Sequence, residues 1–221
     1  MVEISTSLLS LKTDNAIKNI YDLEVAHTDY YHIDVMDGKF VENNTEERMK
    51  GYTNQIRQVS NIPVDVHLMV EDVASYIEEY IPFLPNRITF HYEACKSKAE
   101  VFKYINMIKE EGIKVGLSIK PDTSIEEIYE FLPFIHMVLI MTVEPGKGGQ
   151  ALLPETLKKA KKLKQYIKEN NIEVDIEADG GINKETIKDV VSNEVDIAVV
   201  GSAIIKAENY TKTIKELKEV N

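Results

Sequence analysis

Tyr30-Tyr31-His32-Ile33-Asp34-Val35-Met36-Asp37-Gly38 is a short aromatic and β-branched run that ends in acidic residues and a glycine. Residues two apart on a strand project to one face, so His32 and Asp34 point together near the strand's carboxyl end. Outward from this segment, similar runs rich in Val, Ile and Tyr recur, each followed by a longer stretch with helical spacing and Lys/Glu faces. Strands are predicted at residues 3–8, 30–35, 63–68, 87–91, 114–119, 137–142, 173–178 and 197–200. Eight uninterrupted βα units point to a closed (β/α)8 barrel; an open doubly wound sheet has the same periodicity, so the motifs must decide.

The clearest helix covers residues 154–170, where Leu157, Ala160, Leu163 and Ile167 recur at helical spacing behind Pro154, and its lysines read as a solvated face. Asp122-Thr123-Ser124 before Glu126-Glu127, and Asn183 before Glu185, predict helix N-caps with acidic first turns.

The chain has 221 residues, 43% hydrophobic and 29% charged, enough for one packed barrel domain over residues 1–221. Its 26 Lys+Arg against 37 Asp+Glu give a net charge of -11, which disfavours nucleic acid or an anionic membrane as a partner. Any phosphate must therefore be bound locally. The apolar run beginning at Met137 is too short to span a bilayer and Met1-Val2-Glu3 opens no signal-peptide pattern, so a cytoplasmic location is expected. The lone Cys95 has no internal disulfide partner and reads as a passive residue.

In barrel enzymes the reactive groups lie at the carboxyl ends of strands. There the third strand offers Asp65 and His67, and the seventh offers Asp175, Glu177 and Asp179 before Gly180-Gly181. Taken singly, each such residue reads more readily as a satisfied core or rim group. Their convergence on one barrel mouth favours function: two imidazoles and two carboxylates suit one divalent ion among Zn2+, Fe2+, Mn2+ and Co2+, and ligand type does not choose among these. His91, in His91-Tyr92-Glu93, is expected to support a ligand or the structure. Glycine-rich loops at residues 144–150, Gly180-Gly181 and Gly201-Ser202 expose backbone amides suited to phosphate.

Together, and in this order, HIDVMDG, DVHLMV, EPGxGGQ and DGGIN resemble the ribulose-phosphate 3-epimerase family across nearly the whole chain. The resemblance implies a single-domain TIM barrel of the ribulose-phosphate-binding type and an isomerase of the pentose phosphate pathway. It implies that His32, Asp34, His67 and Asp179 bind the metal, with Asp34 and Asp179 also serving as acid and base on opposite faces of the substrate. It further implies substrate contacts from Ser7 and His67, a substrate loop at Gly146, Lys147, Gly148 and Gly149, a phosphate site at Gly180, Gly181, Gly201 and Ser202, and a pocket lined by Met36, Met69 and Met141. The partner it implies is a small phosphorylated ketose, and the assembly a homo-oligomer between dimer and hexamer.

Several positions depart from the family's usual pattern: Thr6 and Glu42 each stand where Pro is common, Lys12 for Asp, Lys39 for His, Asn44 for an aliphatic residue, Lys147 for Phe, and Glu46-Glu47 after Thr45. They leave the ligands intact and bear on the substrate. A sister epimerase of a six-carbon ketose phosphate such as allulose 6-phosphate is the nearest rival. A decarboxylase or carbon–carbon lyase is another, because Asp37-Gly38-Lys39-Phe40-Val41-Glu42 mimics an Asp-x-Lys-x-x-Asp signature.

Overall fold

In the computed structural model, which describes residues 1–220, the eight predicted strands all form, with ends within two residues of expectation. They are β1 (Glu3–Ser7), β2 (Tyr30–Met36), β3 (Val64–Met69), β4 (Arg87–His91), β5 (Lys114–Ile119), β6 (Met137–Met141), β7 (Asp175–Asp179) and β8 (Ile197–Val200). They pair in parallel in chain order, and β8 closes on β1 through the register Glu3 to Ile197 and Thr6 to Val200. The open-sheet alternative is therefore excluded, and among the described residues no strand edge of the barrel is left unpaired.

Helices α1 (Ala16–Val25), α2 (Glu46–Val59), α3 (Val73–Tyr80), α4 (Lys98–Glu110), α5 (Pro154–Asn170), α6 (Ile187–Ser192), α7 (Ser202–Ile205) and α8 (Tyr210–Lys218) complete the units. The alternation of β2 shows how the sequence divides inside from outside. Tyr31, Ile33 and Val35 join the large apolar core shared with the helices, whereas His32 and Asp34 are buried polar residues on the other face. On the opposite side of the barrel, Met137, Leu139 and Met141 of β6 form a separate apolar cluster with Val143. No helix is long and apolar enough to cross a membrane among the described residues.

Three local expectations change. The segment after β5 is a 3-10 helix, Ile125–Phe134, containing Pro133, which has no N–H to give to a continued α-helical ladder. Ser124 does not cap it, because its hydroxyl donates instead to the Glu126 carboxylate. The lysine face of α5 is not wholly solvated either: the Lys159 ammonium donates to the carbonyls of Lys120, Pro121 and Thr123. Asn183 accepts from the amides of Glu185 at 2.8 Å and Thr186 at 3.3 Å in the turn that leads into α6, whose own N-cap is Thr186.

Candidate active site

Parallel register sets the depth of each inward-facing group. His32 lies beside Asp65, and one step nearer the carboxyl ends Asp34 lies beside His67. Across the barrel Glu177 pairs with Leu139 and Asp179 with Met141. The deeper level thus holds Asp65 and Glu177, and the shallower one Asp34, His67 and Asp179, with the His32 ring reaching up between them.

Asp34 Oδ1 is 3.4 Å from both His32 Nε2 and His67 Nδ1, and Asp179 Oδ2 is 3.9 Å from the same two nitrogens. One ligand atom from each of the four residues lies within 4.8 Å of all the others. His32 Nε2 and His67 Nδ1 are buried and have no hydrogen-bond partner, a costly arrangement for polar atoms with no further role. Two bare ring nitrogens facing two carboxylates fit a divalent cation.

The far side of each ring is held. His32 Nδ1 is 3.1 Å from Asp65 Oδ2, and His67 Nε2 is 2.9 Å from His91 Nε2, whose Nδ1 lies 3.1 Å from Glu93 Oε2. Behind Asp65 stands the buried Arg87, its Nε 3.4 Å from Asp65 Oδ1. Of these supports, Asp65 and His91 were visible as inward or strand-end groups; the roles of Arg87 and Glu93 were not.

Metal-free electrostatics separate the two aspartates. Burial, reinforced by the charge of Asp34, pushes Asp179 up to about 7. Burial acts on Asp34 too, but His32 and His67 outweigh it and hold that carboxyl well below the usual range. A Ser7 hydroxyl donating to Asp34 Oδ2 at 2.7 Å favours the same ionised form. Burial lowers His91 to about 4, whereas its hydrogen bond helps to hold Glu93, against burial, at about 2.

Above these groups opens a cavity of about 180 Å³. Its wall includes Ser7, Asp34, Met36, Met69, Met141, Gly146, Lys147, Gly148, Gly149, Asp179, Gly180, Gly181, Gly201 and Ser202. Every expected site residue is thus present except His32 and His67, which are fully buried beneath the floor. Gly181 has φ +68°, and a Cβ there would stand 2.3 Å from the Leu152 amide nitrogen, so both backbone and space require glycine.

The loops after β2 and β6 are stitched over this cavity. Asn43 Nδ2 donates to the Gly146 carbonyl at 2.5 Å, and Lys147 Nζ donates to Glu42 at 3.1 Å. Lys39 is exposed in the first of these loops, where its amide donates to Asp37 Oδ1 at 2.8 Å. It therefore belongs to no strand-borne Asp-x-Lys-x-x-Asp array.

The sequence model of the Ribulose-phosphate 3 epimerase family matches residues 3–205. A protein of Methanocaldococcus jannaschii named ribulose-phosphate 3-epimerase is 37% identical over 219 residues, covering 99% of this chain and 91% of its own. The protein of that name from Bacillus subtilis is 35% identical, covering 99% of each chain. Among solved structures, 3-hexulose-6-phosphate synthase from Salmonella typhimurium superposes with TM-score 0.68 at 14% identity, covering 99% of this chain and 97% of that one. KGPDC from Streptococcus mutans gives the same score, 0.68, at 12% identity, covering 99% and 96%. These last two share the fold alone.

Proposed function

The chain belongs to the ribulose-phosphate 3-epimerase family and is an epimerase, and on that premise we propose that it interconverts D-ribulose 5-phosphate and D-xylulose 5-phosphate by two-base proton exchange at C3. The observation that carries this reading is the pair of bare nitrogens, His32 Nε2 and His67 Nδ1, set against Asp34 and Asp179 at the floor of a small cavity.

In this reading His32, Asp34, His67 and Asp179 hold one divalent cation drawn from Zn2+, Fe2+, Mn2+ and Co2+. When bound, that ion would supply Lewis acidity and neutralise negative charge that develops on the substrate's oxygens. Asp34, ionised and oriented by Ser7, takes the C3 proton from one face while the C–H electron pair moves into the C2–C3 bond and the carbonyl π pair onto oxygen. Asp179, on the opposite face, returns a proton to C3, and the two exchange roles in the reverse direction. In the metal-free protein the two carboxyls already differ, one favouring ionisation and the other the proton.

Met36, Met69 and Met141 line the reacting end and exclude water, while the loop of Gly146, Lys147, Gly148 and Gly149 covers the sugar. Gly180, Gly181, Gly201 and Ser202 receive the phosphate through backbone amides, which makes anion recognition compatible with a net charge of -11. His67 acts from beneath, through the cation. The same reading takes residues 1–221 as one domain, working in the cytoplasm as a homo-oligomer in the pentose phosphate pathway.

The test is metal analysis of the purified protein with assays before and after chelation. Activity lost to chelator and restored by one named ion supports the site, and Asp34→Asn or Asp179→Asn should each lower turnover on the order of a hundredfold or more. Unchanged turnover in either variant refutes the two-base assignment. A six-carbon substrate is the second reading, favoured by the Glu42–Lys147 pair where the family usually carries Pro and Phe. Activity on allulose 6-phosphate but not on ribulose 5-phosphate would decide for it.

A further inference from the structure

We infer that Glu93 and His91 are positioning residues that fix His67 in the tautomer whose Nδ1 is bare toward the cavity. The purpose of this arrangement rests on the proposed metal site; its geometry does not. Glu93 Oε1 accepts from the Lys120 amide at 2.7 Å and from the Thr123 hydroxyl, and its Oε2 lies 3.1 Å from His91 Nδ1. A carboxylate so employed is an acceptor, and His91 therefore presents Nδ1–H to it.

A neutral imidazole has one N–H, so His91 Nε2 is left as a lone pair, 2.9 Å from His67 Nε2. His67 must donate there. Its only N–H is then used on the side away from the cavity, which leaves Nδ1 bare 3.4 Å from Asp34 Oδ1. Packing holds the rings in this relation: His91 lies between His67 and Phe40, with ring centroids 5.0 Å and 4.9 Å away.

On the far side of His32 a single hydrogen-bonding contact, with Asp65, holds Nδ1. The longer relay at His67 has an electrostatic reason. Asp34, Asp65, Glu177 and Asp179 already crowd the interior with carboxyl groups, and another directly against His67 would add like charge. A neutral imidazole between them keeps the orienting effect of Glu93 and sets its charge one ring further out. The relay is anchored outside the barrel, because the segment from Lys120 to Thr123 that holds Glu93 is itself held by Lys159 of α5.

The experiment uses the full chain, with Glu93→Gln and Thr123→Val variants, the second as the milder change. Nitrogen-15 NMR of the metal-free protein reads the tautomers, competition titration with a chelating dye reads Zn2+ affinity, and thermal unfolding checks that the fold is kept. The expected result is His67 protonated at Nε2 in the parent chain, loss of that preference in Glu93→Gln, and Zn2+ affinity lowered roughly 10–100-fold, with a smaller loss in Thr123→Val. A parent chain with His67 protonated at Nδ1, or a folded Glu93→Gln protein whose Zn2+ affinity stays within about twofold of the parent's, against the loss expected of such outer partners, overturns the inference. Should the parent chain bind no divalent ion while His67 keeps the expected tautomer, the metal reading fails and the positioning role stands.

Discussion

Glu42 and Lys147 meet across the mouth of the cavity, carboxylate oxygen to ammonium nitrogen at 3.1 Å, joining the loop after β2 to the loop after β6. Both side chains are largely in water, 86% and 63% exposed. An exposed pair of this kind contributes about 0–1 kcal/mol and is screened by salt. Glu42→Gln should leave urea-unfolding stability unchanged within about 1 kcal/mol, while raising KM more than it lowers kcat. A fall in kcat with KM unaltered would show that the pair does more than hold the loops together.

Asp179 gives a pH signature in the metal-free protein. Burial and the Asp34 charge raise it to about 7, whereas an unfolded aspartate titrates near about 3.9. The folded chain therefore keeps a proton that the unfolded chain has released. That stabilising contribution is complete below about pH 4 and is lost as pH rises through about 7. Asp179→Asn, which cannot ionise, should exceed the metal-free parent in stability at pH 8 by on the order of a few kcal/mol, the gap closing toward pH 4. Urea unfolding in the presence of chelator across this range would expose a pH-independent gap if the assignment is wrong.

Lys159 ties α5 to the loop after β5 through three backbone carbonyls. Lys159→Met keeps the aliphatic stem and removes the donors. Its expected cost is about 1–3 kcal/mol, measured by chemical denaturation, with faster hydrogen exchange confined to residues near 120–124. An unchanged protein would mean that water replaces the ammonium without loss.

Gly181 combines a left-handed φ with a 2.3 Å approach of any Cβ to the Leu152 backbone. Gly181→Ala should lower stability by about 1–3 kcal/mol and raise KM for the phosphorylated ketose through displacement of the loop. Wild-type KM in a folded variant would remove Gly181 from the proposed phosphate site.

The barrel and the inward placement of the four candidate ligands were legible because strand alternation has a fixed period: His32 with Asp34, Asp65 with His67, and Glu177 with Asp179 had to share faces. Depth was harder, since only the register shows that Asp34 stands beside His67 whereas His32 stands beside Asp65. The relay through His91 was hidden for a related reason. His91-Tyr92-Glu93 shows two polar groups two residues apart, but the second nitrogen of His91 reaches His67 on a neighbouring strand, a contact that spacing does not encode. Lys159 was misread because helical periodicity separates faces by apolar content and has no sign for a long side chain that folds back onto carbonyls.

The seam between β1 and β8 sets an order in time. Glu3 pairs with Ile197 and Thr6 with Val200, and Ser7 lies near Gly201 at the mouth. A ribosome adding roughly 5–20 residues per second would take about 10–40 s between delivering the two sides of that seam. Throughout that interval the first strand has an unsatisfied edge, and the cavity lacks the wall that Gly201 and Ser202 provide. Asp34, the proposed base, is made long before the enclosure it needs is finished.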